Sequence, residues 1–302
     1  MDGRRPKLQL PRDPRIYQIS VLAGLFVYGL TALHFEVRPL QAAVLLGTVL
    51  ATQFVCSKLG KLPAFDSRSA LISGLSLCLL LRTNSLWLAV LTAFVTIASK
   101  FVLRWNGKHI FNPTNFGLVA MMLATGQVWV SPGQWGNVAF FGFLMACLGG
   151  LVVNRAARSD VTYAFAVSYL GILFARALWL GQPLAVPLHQ VQNGAFLLFT
   201  FFMISDPKTT PDSRIGRMLF AFLVAAGAAS VQFLLYRTNG LLWSLAVFSL
   251  AVPLIDRWLP GSRYQWARRP ASRISEKGSS HETLDPERVP AAVRGASAFG
   301  RP

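Results

Sequence analysis

Apolar segments alternate with short polar stretches along the first 258 residues, and the lengths of these segments indicate membrane-spanning helices. A helix needs about 20 apolar residues to cross about 30 Å of hydrocarbon. Seven segments approach that length, at 16–33, 40–56, 86–103, 138–153, 161–180, 216–235 and 241–258. Another at 114–125 is shorter, and two more, at 69–81 and 194–204, are short or interrupted by polar residues. The pattern predicts an all-α polytopic membrane protein with ten transmembrane helices.

Positive charge between these segments supports the count and orients the helices. With the N-terminus in the cytoplasm, the cytoplasmic segments carry 25 of the 29 lysine and arginine residues, which leaves four, Arg38, Arg82, Arg176 and Arg237, outside. Cytoplasmic loops of membrane proteins are enriched in these residues. Because adding or removing one helix would exchange the sides of every later loop, the charge favours ten helices over nine or eleven. It also predicts that both termini are cytoplasmic.

The two weakest segments, 69–81 and 194–204, are the third and the eighth of the ten and hold matching positions in two groups of five. Short or broken helices at matching positions point to an internal repeat, with a site where the halves meet. Because each half has an odd number of helices, the second half must be inverted relative to the first. The simpler alternative is that two short helices tilt their neighbours or thin the bilayer.

This interpretation divides the chain into three regions. Residues 1–15 form a cytoplasmic N-terminal segment. Residues 16–258 form the membrane domain, with 16–125 as the first repeat and 138–258 as the inverted second repeat. Residues 259–302 are predicted to be a disordered basic cytoplasmic tail that contacts anionic lipids, because this stretch is rich in Ser, Pro, Arg and Glu and has no apolar period.

Composition excludes several classes of function. Hydrophobic residues make up 53% of the chain and charged residues 14%, so the net charge of +17 lies between apolar runs and indicates membrane orientation rather than binding of nucleic acid. The three cysteines are far apart, which supports neither a disulfide framework nor a metal centre. The four histidines lie at helix ends, in loops or in the tail, so paired haem ligands are not expected. No metal site is predicted.

Polar motifs collect at the cytoplasmic ends of the helices. Asn112 followed by Pro113 reads as a helix N-cap with proline at the first helical position. The stretch 205–212, Ser-Asp-Pro-Lys-Thr-Thr-Pro-Asp, connects the eighth and ninth segments. Free backbone N–H groups at helix starts can hold anionic or hydrogen-bonding ligands. Ordinary capping explains Asn112 and Pro113 by itself, whereas the length and polarity of 206–212 exceed what capping needs. A ligand site and simple capping therefore remain the two alternatives.

Five sequence strings resemble a known membrane family. They are SALISGL at 69–75, KHIFNPTNFG at 108–117, FMISDPKTTP at 202–211, RIGR at 214–217 and AVPLID at 251–256. In this order they are similar to the family of the D subunit of the Rnf electron-transport complex and the B subunit of the sodium-translocating NADH:quinone reductase (RnfD/NqrB). The resemblance implies ten helices in two inverted repeats. It also implies flavin-based electron transfer in a bacterial inner (plasma) membrane.

Family members carry FMN esterified to a threonine of an outer Ser-Gly-Ala-Thr motif, and this chain contains no such motif. Covalent FMN is therefore not expected, and the resemblance implies a non-covalent flavin, riboflavin or FMN, at the cytoplasmic motifs. The residues assigned to cofactor binding are Asn112, Pro113, Asn115, Asp206, Thr209 and Thr210, with Asp206 orienting its loop through backbone hydrogen bonds. The altered outer loop further resembles stand-alone family members of the kind found in enediyne-type natural-product clusters.

Two functions follow from the sequence. In the first, the chain is a flavin-binding subunit that relays electrons in or across the membrane, to other membrane electron-transfer proteins or to quinone. In the second, a transporter-like protein uses the same scaffold to move an ion or a small molecule without redox chemistry. The preserved cytoplasmic motifs favour the first function, and the missing attachment motif favours the second. Absorbance of the purified protein near 450 nm separates the two.

Overall fold

The computed structural model describes residues 13–131, apart from 33, 34, 36 and 63, together with residue 150 and with 159–264 apart from 192. These residues belong to one compact unit, Met1–Trp266. The predicted sixth helix at 138–153, apart from residue 150, and almost all of the predicted tail lie outside the described residues.

Helices make up most of the described chain. In order they are α1 Pro14–Thr31, α2 Pro39–Leu59, α3 Ser67–Leu80, α4 Leu86–Val102, α5 Pro113–Thr125, α6 Ser159–Trp179, α7 Ala185–Val191, α8 Gly194–Leu198, α9 Arg214–Phe233, α10 Gly240–Ser249 and α11 Val252–Trp258. Helix α8 continues as a π-helical stretch, Phe199–Met203. Four strands of two residues join them: β1 Leu81–Arg82, β2 Arg104–Trp105, β3 Lys108–His109 and β4 Trp129–Val130. The described part of the chain is therefore mostly helical, as predicted.

Polar caps begin several of these helices, and the cap at Asn112 stands where the sequence predicts it. The Asp66 carboxylate accepts a hydrogen bond from the Ser69 backbone N–H at 3.2 Å at the start of α3. Asn112 does the same for α5, with Pro113 at the first helical position, and the Ser213 hydroxyl accepts from the Gly216 N–H at 3.0 Å at the start of α9. These contacts satisfy backbone donors that have no partner within the helix.

Two antiparallel strand pairs lie at opposite ends of the helical bundle. Strands β2 and β3 form a hairpin whose turn residues, Asn106 and Gly107, both have positive φ (49° and 78°), as a two-residue hairpin turn requires. Strand β1, after α3, pairs with β4, after α5. We call these the hairpin end and the β1–β4 end. Because α3 and α5 both run toward β1 and β4, the two helices share one direction.

Small residues let the helices approach closely. A Cβ on Gly74 of α3 would lie 2.8 Å from Val49 of α2. A Cβ on Gly227 of α9 would lie 2.5 Å from the hydroxyl of Ser244 in α10. Helices in membranes associate through such small-residue contacts, because lipid supplies no hydrophobic driving force between them.

Three helices, α2, α6 and α9, are long and apolar enough to cross a membrane by length and composition. Helices α10 and α11 would add a fourth crossing if the pair, bent by 51°, counts as one. The predicted single helix at 241–258 is thus broken near residues 250–251, ahead of Pro253. Three shorter apolar helices are α3, α4 and the stretch Gly194–Met203, two of which are the segments predicted to be weakest. The described part of the chain is a helical bundle with three or four full-length candidate spans.

Candidate functional site

The six residues assigned to cofactor binding converge at the hairpin end. Asn112 connects the start of α5 to the loop that follows the π-helical stretch, because its side-chain amide donates to the Met203 carbonyl at 3.3 Å and to the Asp206 carboxylate at 3.4 Å. Pro113 is buried directly beside it. The structure therefore brings together two motifs that are more than 90 residues apart in the sequence.

Asn115 lies deeper in the same junction and is completely buried. Its backbone N–H donates to Asn112 Oδ1 at 3.1 Å, and its Nδ2 donates to the Leu242 carbonyl of α10 at 3.1 Å. Its Oδ1 has no hydrogen-bond partner among the described residues. Asn115 thus connects α5 to α10, and its amide donor is occupied by the protein.

Asp206 organises the loop before α9. One carboxylate oxygen accepts from the Lys208 N–H at 3.0 Å, and its carbonyl accepts from the backbone N–H groups of Thr209 and Thr210, both at 3.2 Å. The Thr209 hydroxyl donates to the same carbonyl at 3.3 Å. This confirms that Asp206 orients its own loop. The Thr210 hydroxyl is buried and has no partner within the described part of the chain.

The cavity beside these residues, called here the polar cavity, is small. It has a volume of about 70 Å³, and its lining includes Ser69, Ser73, Lys100, His109, Asn112 and Asp206. A water needs about 10–15 Å³ in this measure, so the space admits about five waters. Pockets for cofactor-sized ligands have about 300–1,000 Å³. Together with the occupied side chains of Asn112, Asn115 and Thr209, this volume does not fit a flavin ring.

Lys100 and His109 are two of the basic side chains that line the polar cavity. Lys100 is 5% exposed, and its ammonium donates to the Ser69 carbonyl at 2.9 Å and to the Ser69 hydroxyl at 3.1 Å. Burial lowers the pKa of His109 to about 3, and the positive charges of Lys208, Arg104 and Lys100 act in the same direction. His109 is therefore a neutral imidazole at physiological pH. Lys100 is a buried basic group that lies outside all five sequence strings.

An ion-pair network of Lys108, Asp212 and Asp256 lies at the hairpin end. The Lys108 ammonium is 3.0 Å from Asp212 Oδ1 and 2.7 Å from Asp256 Oδ2. The Asp212 backbone N–H donates to the other Asp256 oxygen at 2.7 Å. The network holds the β2–β3 hairpin against α11 and the loop before α9, thereby joining the two halves of the chain. Its residues fall within or beside the family strings, which is the signal that could have identified them.

Arg217 adds a second connection at the same end. Its Nε donates to the Asp160 carboxylate at the start of α6 at 2.9 Å, and its Nη1 donates to the Asp212 carbonyl at 2.8 Å. The arginine of the RIGR string thus ties α9 to α6. This role is structural, since both partners belong to the protein.

A much larger cavity, called the aromatic cavity, opens at the β1–β4 end. It has a volume of about 750 Å³, within the range of ligand pockets. Tyr169, Phe196 and Phe199 line it. Tyr169 stacks on Phe196 with ring centroids 5.6 Å apart and an interplanar angle of 26°, and on the buried Phe165 at 5.7 Å and 11°. These rings form a flat apolar wall contributed by α6, α8 and the π-helical stretch.

Amide and hydroxyl groups surround this aromatic wall. Gln190, Asn193, Gln232, Thr238 and Asn239 all line the aromatic cavity. The Tyr169 hydroxyl donates to Gln232 Oε1 at 2.9 Å, and Asn193 Oδ1 accepts from the Ala195 N–H at 2.8 Å. Among the described residues, none accepts a hydrogen bond from the amide nitrogen of Gln232 or Asn193. This site could not be predicted from the sequence, because its members are common residue types on separate elements.

Comparisons with known proteins find similarity to the same family that the sequence strings resemble. The model of the NQR2, RnfD, RnfE family matches residues 128–265. The D subunit of the ion-translocating oxidoreductase complex of Alcanivorax borkumensis is 29% identical over 135 residues, covering 43% of this chain and 37% of that protein. The corresponding protein of Erwinia tasmaniensis is 30% identical over 148 residues, covering 48% and 37%. The matched part therefore spans little more than a third of these two relatives.

The D subunit of the same complex from Halorhodospira halophila aligns over a longer stretch. It is 23% identical over 313 aligned positions, which cover 78% of this chain and 85% of that protein. The similarity thus extends along most of both sequences, at a lower level of identity.

Proposed function

Because the model of the NQR2, RnfD, RnfE family matches residues 128–265, we propose that the chain is a member of this family and a membrane-embedded electron-transport subunit. It would relay electrons to other membrane electron-transfer proteins or to quinone. The family match carries this proposal, since the relatives are named as subunits of an ion-translocating oxidoreductase complex. Fold alone would not carry it, because one scaffold hosts many functions.

The membrane domain is proposed to have ten helices in two inverted repeats, 16–125 and 138–258, with both termini cytoplasmic and residues 259–302 as a basic tail. The alternation of described elements supports this. Arg15, Lys108 and Asp256 all make contacts at the hairpin end, whereas Trp129 and Gln232 lie at the β1–β4 end. Reporter tags after residues 60 and 106 should read cytoplasmic, and a tag after residue 181 external. A periplasmic reading at residue 302 would contradict the count.

The cofactor is proposed to be a non-covalent flavin. Asn112, Pro113, Asn115, Asp206, Thr209 and Thr210 are its binding residues by resemblance, but the polar cavity beside them is too small. The aromatic cavity has the volume, the flat apolar wall and the amide donors that a planar heterocycle needs once its polar atoms leave water. We therefore assign the flavin to the aromatic cavity.

Each group in the aromatic cavity has a distinct task toward such a ring. Tyr169 and Phe196 would pack against it and exclude water, and the amides of Asn193 and Gln232 would donate hydrogen bonds to its carbonyl oxygens and ring nitrogens. Because the Tyr169 hydroxyl donates to Gln232 Oε1, the Gln232 amide is held with its donor side free. When bound, a flavin supplies the capacity to accept and pass on electrons.

Absorbance near 450 nm of the gently purified chain tests the proposal. We expect a flavin spectrum whose chromophore separates from the protein on filtration after denaturation, and no fluorescent band at the position of the protein on a denaturing gel. Gln232→Leu should release flavin, since a lost hydrogen bond to a buried group costs about 1–3 kcal/mol, or about 5–150-fold in affinity. Phe196→Leu should weaken binding by about 0.5–1.5 kcal/mol, because it removes the aromatic contact with the ring. Asn112→Ala and Thr210→Ala serve as matched variants at the polar cavity.

Two outcomes would contradict different parts of this proposal. Release of flavin by the Asn112 and Thr210 variants alone would return the cofactor to the polar cavity. Wild-type protein without any flavin would refute the electron-transport proposal in favour of transport of an ion or small molecule on the same scaffold.

A further inference from the structure

A groove beside the β2–β3 hairpin has features that the proposed electron transport does not use. This basic groove has a volume of about 750 Å³, and Trp105, Leu250, Leu254, Arg257 and Arg263 are among its lining residues. It lies between the hairpin and the α10–α11 break, at the hairpin end of the bundle.

The floor of the basic groove is apolar and continues onto the outer surface of the bundle. Leu250 is 62% exposed and Leu254 47%, and Trp105 and Trp258 nearby are exposed as well. Exposed leucines on a membrane helix contact acyl chains, and exposed tryptophans are enriched at the level of the lipid headgroups. The groove therefore starts at the acyl region and ends at the interface.

The mouth of the basic groove carries positive charge that the described residues do not neutralise. Neither Arg257 nor Arg263 forms an ion pair with any described carboxylate, and both are exposed. The Arg263 guanidinium lies at the hairpin turn, 3.9 Å from the position that a Cβ on Gly107 would take. The two carboxylates in the lining, Asp212 and Asp256, already share the Lys108 ammonium, so the lining retains a net positive charge.

We propose that the basic groove binds the headgroup of an anionic phospholipid, with the phosphate held by Arg257 and Arg263 and one acyl chain lying along Leu250 and Leu254. Arginine favours phosphate because its planar guanidinium donates two parallel hydrogen bonds. An apolar floor leading to a pair of exposed arginines matches the layout of a phospholipid, in which an acyl chain leads to a phosphate. The inference depends on the membrane location alone and not on the flavin.

Native mass spectrometry of the full chain in a neutral detergent tests the site. With phosphatidylglycerol added, we expect a one-lipid complex that equal amounts of phosphatidylcholine do not form. Arg257→Gln combined with Arg263→Gln should weaken this complex by about tenfold or more, since charge-assisted hydrogen bonds are lost. Lys58→Gln combined with Lys61→Gln removes the same charge near the same end, and should change the affinity by less than about twofold.

Three results would overturn the inference. They are equal binding of the two lipids, equal weakening by both double variants, and displacement of phosphatidylglycerol by an equal concentration of inorganic phosphate, which would assign the arginines to a free anion. A chain that stays in solution without detergent would refute the membrane location itself, whereas a detergent-dependent chain without the lipid complex would refute only the groove.

Discussion

Lys108 provides the sharpest test of how the hairpin end is held together. Its ammonium is the shared partner of two carboxylates, and its side chain is 12% exposed, against 12% for Asp212 and 19% for Asp256. Replacing it by the similarly long but uncharged methionine, Lys108→Met, would leave two negative charges close together and largely removed from water. Such unneutralised charge is strongly unfavourable.

The expected loss of stability follows from how deeply the Lys108 ion pairs are buried. Removing one partner of a buried ion pair costs about 3–5 kcal/mol, whereas an exposed pair contributes about 0–1 kcal/mol. Since the Lys108 network is mostly but not fully buried, we expect about 3 kcal/mol of lost stability. The Arg68–Asp13 pair at the same end is the matched control, because the Arg68 side chain is 50% exposed. Arg68→Gln should cost less than about 1 kcal/mol.

Unfolding of the purified protein in mixed micelles, followed by tryptophan fluorescence, measures both variants. Adding Asp256→Asn to Lys108→Met should recover a substantial part of the loss, because only one carboxylate then remains and the introduced asparagine keeps an oxygen that can accept from the Asp212 N–H. If Lys108→Met is no more destabilising than Arg68→Gln, or if the second substitution makes it worse, the charge argument is wrong.

Two further predictions concern packing and pH. A Cβ at Gly117 would meet the backbone Cα of Thr96 at 3.1 Å, so Gly117→Ala should lower the melting temperature, while Gly171→Ala, where nothing lies within 4 Å, should leave it almost unchanged. Because the folded-state pKa of His109 is about 3 against about 6.5 unfolded, the unfolded chain alone takes up this proton between those values. The free energy of unfolding should therefore fall by about 2.5 kcal/mol from pH 7 to pH 4.5. The stability of His109→Gln should fall less over the same titration, and equal slopes for the two proteins would contradict this assignment.

The order of the helices and several of their starting points could be predicted from the sequence. A long apolar segment predicts a helix, because each backbone N–H of a helix bonds to the carbonyl four residues earlier in the same segment. The caps at Asp66 and Asn112 were equally local, since each side chain accepts from a backbone N–H three residues later. Asp206 was predicted to orient its loop for the same reason, and its carboxylate indeed accepts from the Lys208 N–H. Each of these features depends on neighbours along the chain.

Only the tertiary structure decided what the polar motifs surround. The sequence predicted that Asn112 and Asp206 belong to one site, but the volume beside them depends on the packing of the helices. The structure leaves a cavity of about 70 Å³, which is too small for the flavin ring predicted to bind there. Lys108 meets Asp212 and Asp256 across 104 and 148 residues, and the aromatic cavity draws Tyr169 and Phe196 from different helices. Cavities and ion pairs of this kind depend on how distant segments pack, because volume and burial belong to the contact between segments rather than to either one alone.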